Sequence, residues 1–285
     1  MLSPHRRRPV ARSSRPTRIS HTGGDSAIPT GGCTVIAEHT RLCLLGGFQL
    51  LLTGRPVRLP VQAQRVLVLL AVRGVEQSRS TLAGTLWDDV PERRAQANLR
   101  NAVWRIRLIS DAVLTCTRSS VALSGHVALD LDEAQGHARS LLAADAGEFG
   151  RPVGQGCRDG RARGPTDALD ALDRDLLPAW DEDWLVIERE RQRQLRMHAL
   201  EALSASLCQA GRYAEAITAA LAAVRAEPLR ESAQRALITA HLGEGNICEA
   251  VRQLAGYREL LADELGIAPS AQLRDLVGVA RRYSS

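Results

Sequence analysis

The stretch Glu92–Ile109, ERRAQANLRNAVWRIRLI, decides how the rest of the chain is read. On a helical wheel Ala95, Leu99, Ala102, Val103 and Ile106 fall on one side, at the i, i+3/i+4, i+7 spacing of an amphipathic helix. The other side carries Arg93, Arg94, Arg100, Asn101 and Trp104, flanked by Arg105 and Arg107, with no acid beyond the first turn. Arg and Asn have planar donor sets that match guanine and adenine edges in the major groove. An ordinary basic surface helix fits this window equally well, so the flanking segments have to separate the two.

Upstream, Leu42–Leu52 is an apolar run broken at Gly46-Gly47. Thr53-Gly54-Arg55-Pro56 then marks a turn before Val57-Arg58-Leu59, which reads as three short antiparallel strands. Pro60 opens a helix with Ala63, Val66, Leu67 and Leu70 on one face, closed by Gly74. A second helix is expected over Ser80–Trp87, with Ser78 or Ser80 as N-cap and Leu82 and Leu86 inward. Asp88–Glu92, containing Pro91, turns into the basic helix. Downstream, Val113–Thr117 and Val121–Leu123 flank Arg118-Ser119-Ser120 as a hairpin, and Val127–Leu131 adds a strand. Strands, three helices with the last one basic, then a hairpin: this is the order of a winged helix-turn-helix. In that fold the third helix enters the major groove while the hairpin tip reaches the backbone beside it.

Charge is distributed to match. Residues 1–40 carry a net +4, residues 41–131 a net +6, residues 132–166 balance, and residues 167–285 carry −5. A basic front half and an acidic back half imply two jobs, one of them facing a polyanion. All 37 basic residues are arginine, which also reflects GC-rich coding, and aromatics are scarce at 3%. The 45% of apolar residues is a globular value, and the length suits two ordinary domains.

Residues 1–40 mix Arg, Ser, Pro, Thr and Gly without apolar periodicity and are expected to be a disordered basic tail, or the product of a start codon placed too early. They lack the apolar core of a secretory signal, and no apolar run reaches the length of a membrane span. Residues 132–166 read as a linker or insertion, with six glycines between 141 and 166. From Asp167 the chain reads as helical to its end, with a long helix over Trp184–Gln209 capped by Asp181. A 34-residue period follows: Ala202-Leu203 recurs as Ala236-Leu237, Gly211 as Gly245, Glu215-Ala216 as Glu249-Ala250, and Ile217 as Val251. Gly at the turn and small residues at the helix crossing are the tetratricopeptide signature, whose stacked pairs leave a concave surface for a partner.

Residues 41–131 resemble the OmpR-type DNA-binding domain of the Streptomyces antibiotic regulatory protein family. LGGFQLLLTGRPVRLP, the helix ending in LAGTLW, ANLRNAVWRIR and the closing VALSGHVALD carry the likeness. DEDWLVIERERQRQLRMHALEAL and GYRELLADELGIAPS resemble the bacterial transcriptional activation domain that follows it in the same regulators. The resemblance implies that residues 94–108 form the recognition helix, and the candidate DNA-binding set is Arg94, Arg100, Asn101, Trp104, Arg105 and Arg107, with Arg118 and Ser119 at the wing. It also implies that the Asp88–Glu92 loop faces RNA polymerase holoenzyme and that the sites are direct repeats near a promoter. The chain departs from the family twice: Trp104 replaces a polar or basic residue, and the linker is long. For Trp104 two roles remain open, stacking on sugar or thymine methyls and packing against another protomer.

Catalytic readings fail on chemistry. There is no GxxxxGK[ST], no HExxH and no Cys/His cluster, and the six cysteines show no CxxC pair, as expected of reduced thiols. Asp181-Glu182-Asp183 sits where a helix N-terminus favours negative charge. The reading is a mainly α protein with small β elements: a winged helix-turn-helix domain (41–131), and a C-terminal tetratricopeptide-like α-helical repeat domain (167–285). It is expected to be a cytoplasmic, nucleoid-associated activator that binds promoter DNA and recruits RNA polymerase. A homodimer is expected, with no enzyme activity, cofactor, metal or membrane. The alternative is a protein-interaction scaffold in which the repeat groove carries the function and DNA contact is weak.

Overall fold

The computed structural model describes residues 40–145 and 165–283, so the expected tail up to residue 39 and the expected linker over 146–164 lie outside it. The architecture is mainly helical with two small sheets, as the sequence leads one to expect. Strands β1 (Thr40–Cys43), β2 (Gln49–Leu52) and β3 (Arg55–Val57) form an antiparallel meander, with Leu42 opposite Leu50 and Leu52 opposite Arg55. The β2–β3 turn needs only Thr53 and Gly54, at φ of 49° and 76°. Two positive φ values make the tight turn whose twist suits a hairpin. Arg55 and Pro56 therefore pair within a strand instead of lying in a four-residue turn, and Pro56 is tolerated because β3 is an edge.

Helix α1 (Val61–Arg73) starts after Pro60 and ends at Gly74 in the left-handed region. A two-residue strand β4 (Gln77–Ser78) leads into α2 (Arg79–Leu86), whose N-cap Ser78 accepts the Thr81 N–H. Helix α3 (Glu92–Ile109) buries Ala95, Leu99, Ala102, Val103 and Ile106, the set that the wheel selects. Strands β5 (Leu114–Cys116) and β6 (Ser120–Leu123) form the hairpin, with β4 completing a sheet of order β4-β6-β5. The last strand of the stretch, β7 (Ala128–Leu129), pairs not with the hairpin but parallel to β1.

The stretch assigned to a linker from residue 132 needs correcting, because helix α4 occupies Asp130–Asp145. Asp130, Asp132 and Glu133 place negative charge at its positive end, and Ala134 and Ala138 are fully buried. Helix α5 (Pro165–Leu172) is the next described element, and residues 173–182 are not a helix but an extended segment with turns. Helix α6 (Asp183–Gln209) has Glu182, not Asp181, at its N-cap, and Glu182 makes no capping bond. Its carboxylate instead accepts from Trp184 Nε1 at 2.7 Å and from Arg65 Nη2 at 2.8 Å.

Helices α7 (Tyr213–Ala226), α8 (Glu231–Gly243), α9 (Ile247–Leu265) and α10 (Ala271–Tyr283) complete the chain. The 34-residue repeat is visible in its backbone. Gly211 and Gly245 both close a helix at positive φ, 72° and 84°. The following N–H groups reach back to equivalent carbonyls, Arg212 to Leu207 at 2.9 Å and Asn246 to His241 at 2.8 Å. Ala216 and Ala250, fully buried at equivalent places, let the paired helices approach.

The two halves share one core. Leu42, Leu67, Leu99 and Ile106 belong to the same buried cluster as Leu131, Ala134, Leu176, Leu177 and Leu185. Leu45 bridges Leu176 in antiparallel fashion, the Leu177 N–H donates to Leu44 O at 3.0 Å, and the Gly46 N–H donates to Asp175 O at 2.7 Å. Asp130 accepts the Leu44 and Leu45 N–H groups; burial pushes its carboxyl above the usual range, and these two bonds pull it partly back. Arg41 adds a forked pair to Glu133, both contacts at 2.8 Å.

Candidate nucleic-acid interface

Helix α3 is placed by its apolar stripe against α1 and α2, which leaves the opposite side in solvent. There Arg93, Arg94, Arg100, Asn101, Trp104, Arg105 and Arg107 are all exposed. Arg93, Arg94 and Arg100 make no ion pair among the described residues, and Trp104 is 58% exposed. The Arg105 guanidinium lies 5.9 Å from the Trp104 ring centroid, within cation–π range. Arg94, Asn101 and Arg105 also border a cleft of about 410 Å³ whose other wall includes Trp87, Asp89 and Val90, on the loop between α2 and α3.

Arg107 differs from the rest. Its Nε is 2.8 Å from Asp111 Oδ1, and this hydrogen bond pushes the guanidinium pKa further above its ordinary value. The spacing of four residues makes the pair legible in sequence. Leu108, 68% exposed beside Arg107 and Trp104, is a further residue that the wheel did not single out.

At the wing, Arg118 and Ser119 are exposed at the hairpin tip. The tip is held by a residue that the sequence reading missed. The Arg79 backbone N–H donates to Ser119 O at 2.9 Å, and its guanidinium reaches Thr117 O at 3.2 Å. Thr117 Oγ1 in turn accepts the Ser120 N–H at 3.0 Å, and Ser120 Oγ donates to Glu76. The wing is thus tied to the start of α2, and the tie spans 38 residues of sequence, which leaves no local pattern. Guanidinium and carboxamide donors on a rigid helix, with a braced cationic tip nearby, can meet base edges and phosphate oxygens. Among the described residues no His/Cys/Asp/Glu group is arranged to hold a metal, and no helix is long and apolar enough to cross a membrane.

A winged helix-turn-helix with a basic third helix, built onto paired-helix repeats through a common core, is the architecture of a transcription regulator. Residues 129–278, just over half of the chain, match the family model of the bacterial transcriptional activator domain, and the chain belongs to that family of transcriptional activators. It is similar to regulatory protein AfsR of Streptomyces coelicolor, 32% identical over 222 residues, which is 76% of this chain and 21% of that protein. It is likewise similar to regulatory protein AfsR of Streptomyces griseus, 30% identical over 260 residues, 84% of this chain and 24% of the relative. The chain therefore spans between a fifth and a quarter of the length of these relatives. A solved structure of Mycobacterium tuberculosis EmbR in complex with a low affinity phosphopeptide superposes with a TM-score of 0.62 at 22% identity, over 86% of this chain and 65% of that one. That likeness concerns the fold. The family match begins at residue 129, so it includes the stretch that reads as a linker by composition.

Proposed function

We propose that the chain is a sequence-specific DNA-binding activator that docks α3 in the major groove of a promoter repeat and engages RNA polymerase holoenzyme. The observation that carries this reading is the division of α3 into a buried apolar stripe and an exposed face of Arg93, Arg94, Arg100, Asn101, Trp104 and Arg105. In this reading Arg100, Asn101 and Arg105 face base edges, while Arg94, Arg107, Arg118 and Ser119 meet the backbone. The exposed Asp88, Asp89 and Pro91 between α2 and α3 form the surface offered to the polymerase. Two copies bind neighbouring repeats, the helical repeats mediate their contact, and the protein works on the nucleoid in the cytoplasm.

The test is selection of binding sites from random duplexes with the full chain, followed by footprinting. A directly repeated element protected by the native chain and lost on Asn101→Ala supports the reading. Equal binding to all sequences, or protection unaffected by changes at Arg100 and Asn101, would overturn it.

A further inference from the structure

A cleft of about 780 Å³ lies away from α3, between α6, the end of α7 and the segment 173–178. Its volume is that of a small-molecule site. Four arginines line it, and three have settled partners. Arg189 donates to the carbonyls of Leu176, Leu177 and Trp180; Arg193 pairs with Glu190 and Glu227; Arg225 pairs with Asp173 at 2.9 Å in the open.

Arg196 is different. Its side chain is 7% exposed, its Nε is buried without a hydrogen-bond partner, and its Nη1 lies 2.6 Å from Asp175 Oδ1 in an ion pair. A guanidinium offers five N–H donors, and a shielded charge is costly unless it is paired and hydrogen-bonded. The Asp175 side chain that partners it is 64% exposed, so solvent competes for the acid while the base stays buried. One helical turn earlier Gln192, also 6% exposed, has its Oε1 buried without a partner. Beside these polar groups Leu176, Pro178, Val186, Ala222 and Ala226 supply apolar wall.

We infer that this cleft binds a small monocarboxylic acid with an apolar body, whose carboxylate displaces Asp175 from Arg196. Asp175 is the internal stand-in for that carboxylate. A singly charged group fits better than a phosphate dianion, because Asp173, Asp175 and Glu190 also line the cleft. The displaced residue is one of those that dock the repeat domain on the winged domain. Its carbonyl accepts the Gly46 N–H, and Leu176 and Leu177 pair with Leu45 and Leu44. Acid binding therefore pulls on the β1–β2 connection, and its effect on DNA affinity rests on the function proposed above.

The experiment is calorimetric titration of the full chain, without DNA, using hexanoate, benzoate, hexanamide and hexyl phosphate. One of the two acids gives saturable binding and hexanamide gives none. Arg196→Gln, checked for folding by circular dichroism, weakens binding by about tenfold or more, the loss of one charged contact. Asp175→Asn, which leaves Arg196 without its competitor, tightens binding several-fold and keeps the test decisive if the Arg196 variant does not fold. Neither acid binding the native chain or the Asp175→Asn variant would overturn the site, as would equal affinity for hexanamide or preference for hexyl phosphate. A band shift repeated at saturating acid then tests the coupling alone: unchanged DNA affinity refutes it and leaves the site standing.

Discussion

Arg65, on α1 of the winged domain, holds Glu182 at the head of the long repeat helix. Its Nη2 donates to Oε2 at 2.8 Å, while Nε lies 2.7 Å from Oε1 at an angle too bent for a second hydrogen bond. Both side chains are less than one fifth exposed, and Trp184 shares the same carboxylate. A pair this shielded is weak evidence of net stabilisation, but removing one partner strands the other. Arg65→Ala and Glu182→Ala are each expected to destabilise, and the double variant to cost less than their sum. A coupling energy of roughly 0.5–3 kcal/mol in a denaturation cycle is the expected outcome. Strict additivity would remove the pair from the domain junction.

Leu177 gives a sign test at the same junction. It is fully buried yet sits at φ 46°, a conformation unfavourable to an L side chain. Leu177→Ala is expected to cost about 2–5 kcal/mol through the lost packing. Leu177→Gly, ordinarily the worse of the two, is expected to be the better by about 1 kcal/mol because it relieves the backbone. Urea midpoints of the two variants decide it.

The helical repeats place two neighbouring glycines for different reasons. At Gly245 the backbone is at φ 84° with open space around it, so alanine strains the chain by roughly 1–2 kcal/mol. At Gly243, the last residue of α8, an added Cβ would stand 2.5 Å from a ring carbon of Tyr213. Both Gly→Ala changes are expected to lower Tm, but Tyr213→Ala should offset the second and not the first. Rescue of both, or of neither, contradicts this assignment.

On α3, readers and anchors separate by their response to salt. Arg100→Ala is expected to cost about 1–3 kcal/mol on the selected site and to flatten the preference at one base position. Arg118→Ala should weaken binding to all sequences and lower the salt slope by about one unit. Asp111→Asn is the structural counterpart: it releases Arg107, so non-specific affinity and the salt slope should rise. Salt titrations on cognate and scrambled duplexes measure all three.

Glu231 supplies a pH test. Burial raises its carboxyl, but Ser270, through its N–H at 2.9 Å and its hydroxyl, together with Arg235, outweighs that and leaves the pKa below the ordinary glutamate value. A lowered pKa means stability that is present above the unfolded-state value and lost as pH falls through the folded one. The start of α10 is therefore expected to loosen in that acid window, with lower protection of the Ser270 and Leu273 amides relative to their intrinsic exchange rates at each pH. Glu231→Gln should abolish the pH dependence of these protection factors, and protection that is flat with pH in the native chain would contradict the linkage.

Much of the fold is written locally. The stripe of Ala95, Leu99, Ala102, Val103 and Ile106, the Ser78 cap, the Thr53-Gly54 turn and the paired glycines at 211 and 245 each follow from spacing or from the conformation that one residue type permits. The exposure of Arg94, Arg100, Asn101, Trp104, Arg105 and Arg107 follows from the same stripe, since burying one side of a helix presents the other. Arg118 and Ser119 become exposed because a hairpin tip has nowhere else to go.

What the tertiary structure alone decided are the contacts that chain separation hides. The glycine-rich stretch after residue 146 lends its composition to Asp130–Asp145, whose helix becomes plain once Ala134 and Ala138 have a core to enter. The pairing of β7 beside β1, the Arg79 brace under the wing and the choice of Glu182 over Asp181 depend on partners remote in sequence. Arg65 finds Glu182 across 117 residues. Periodicity reports which face of an element is apolar, because that depends on neighbours three or four residues away. It cannot report which other element covers the face, since that is set by shape and by the hydrogen bonds left unsatisfied when the two surfaces meet.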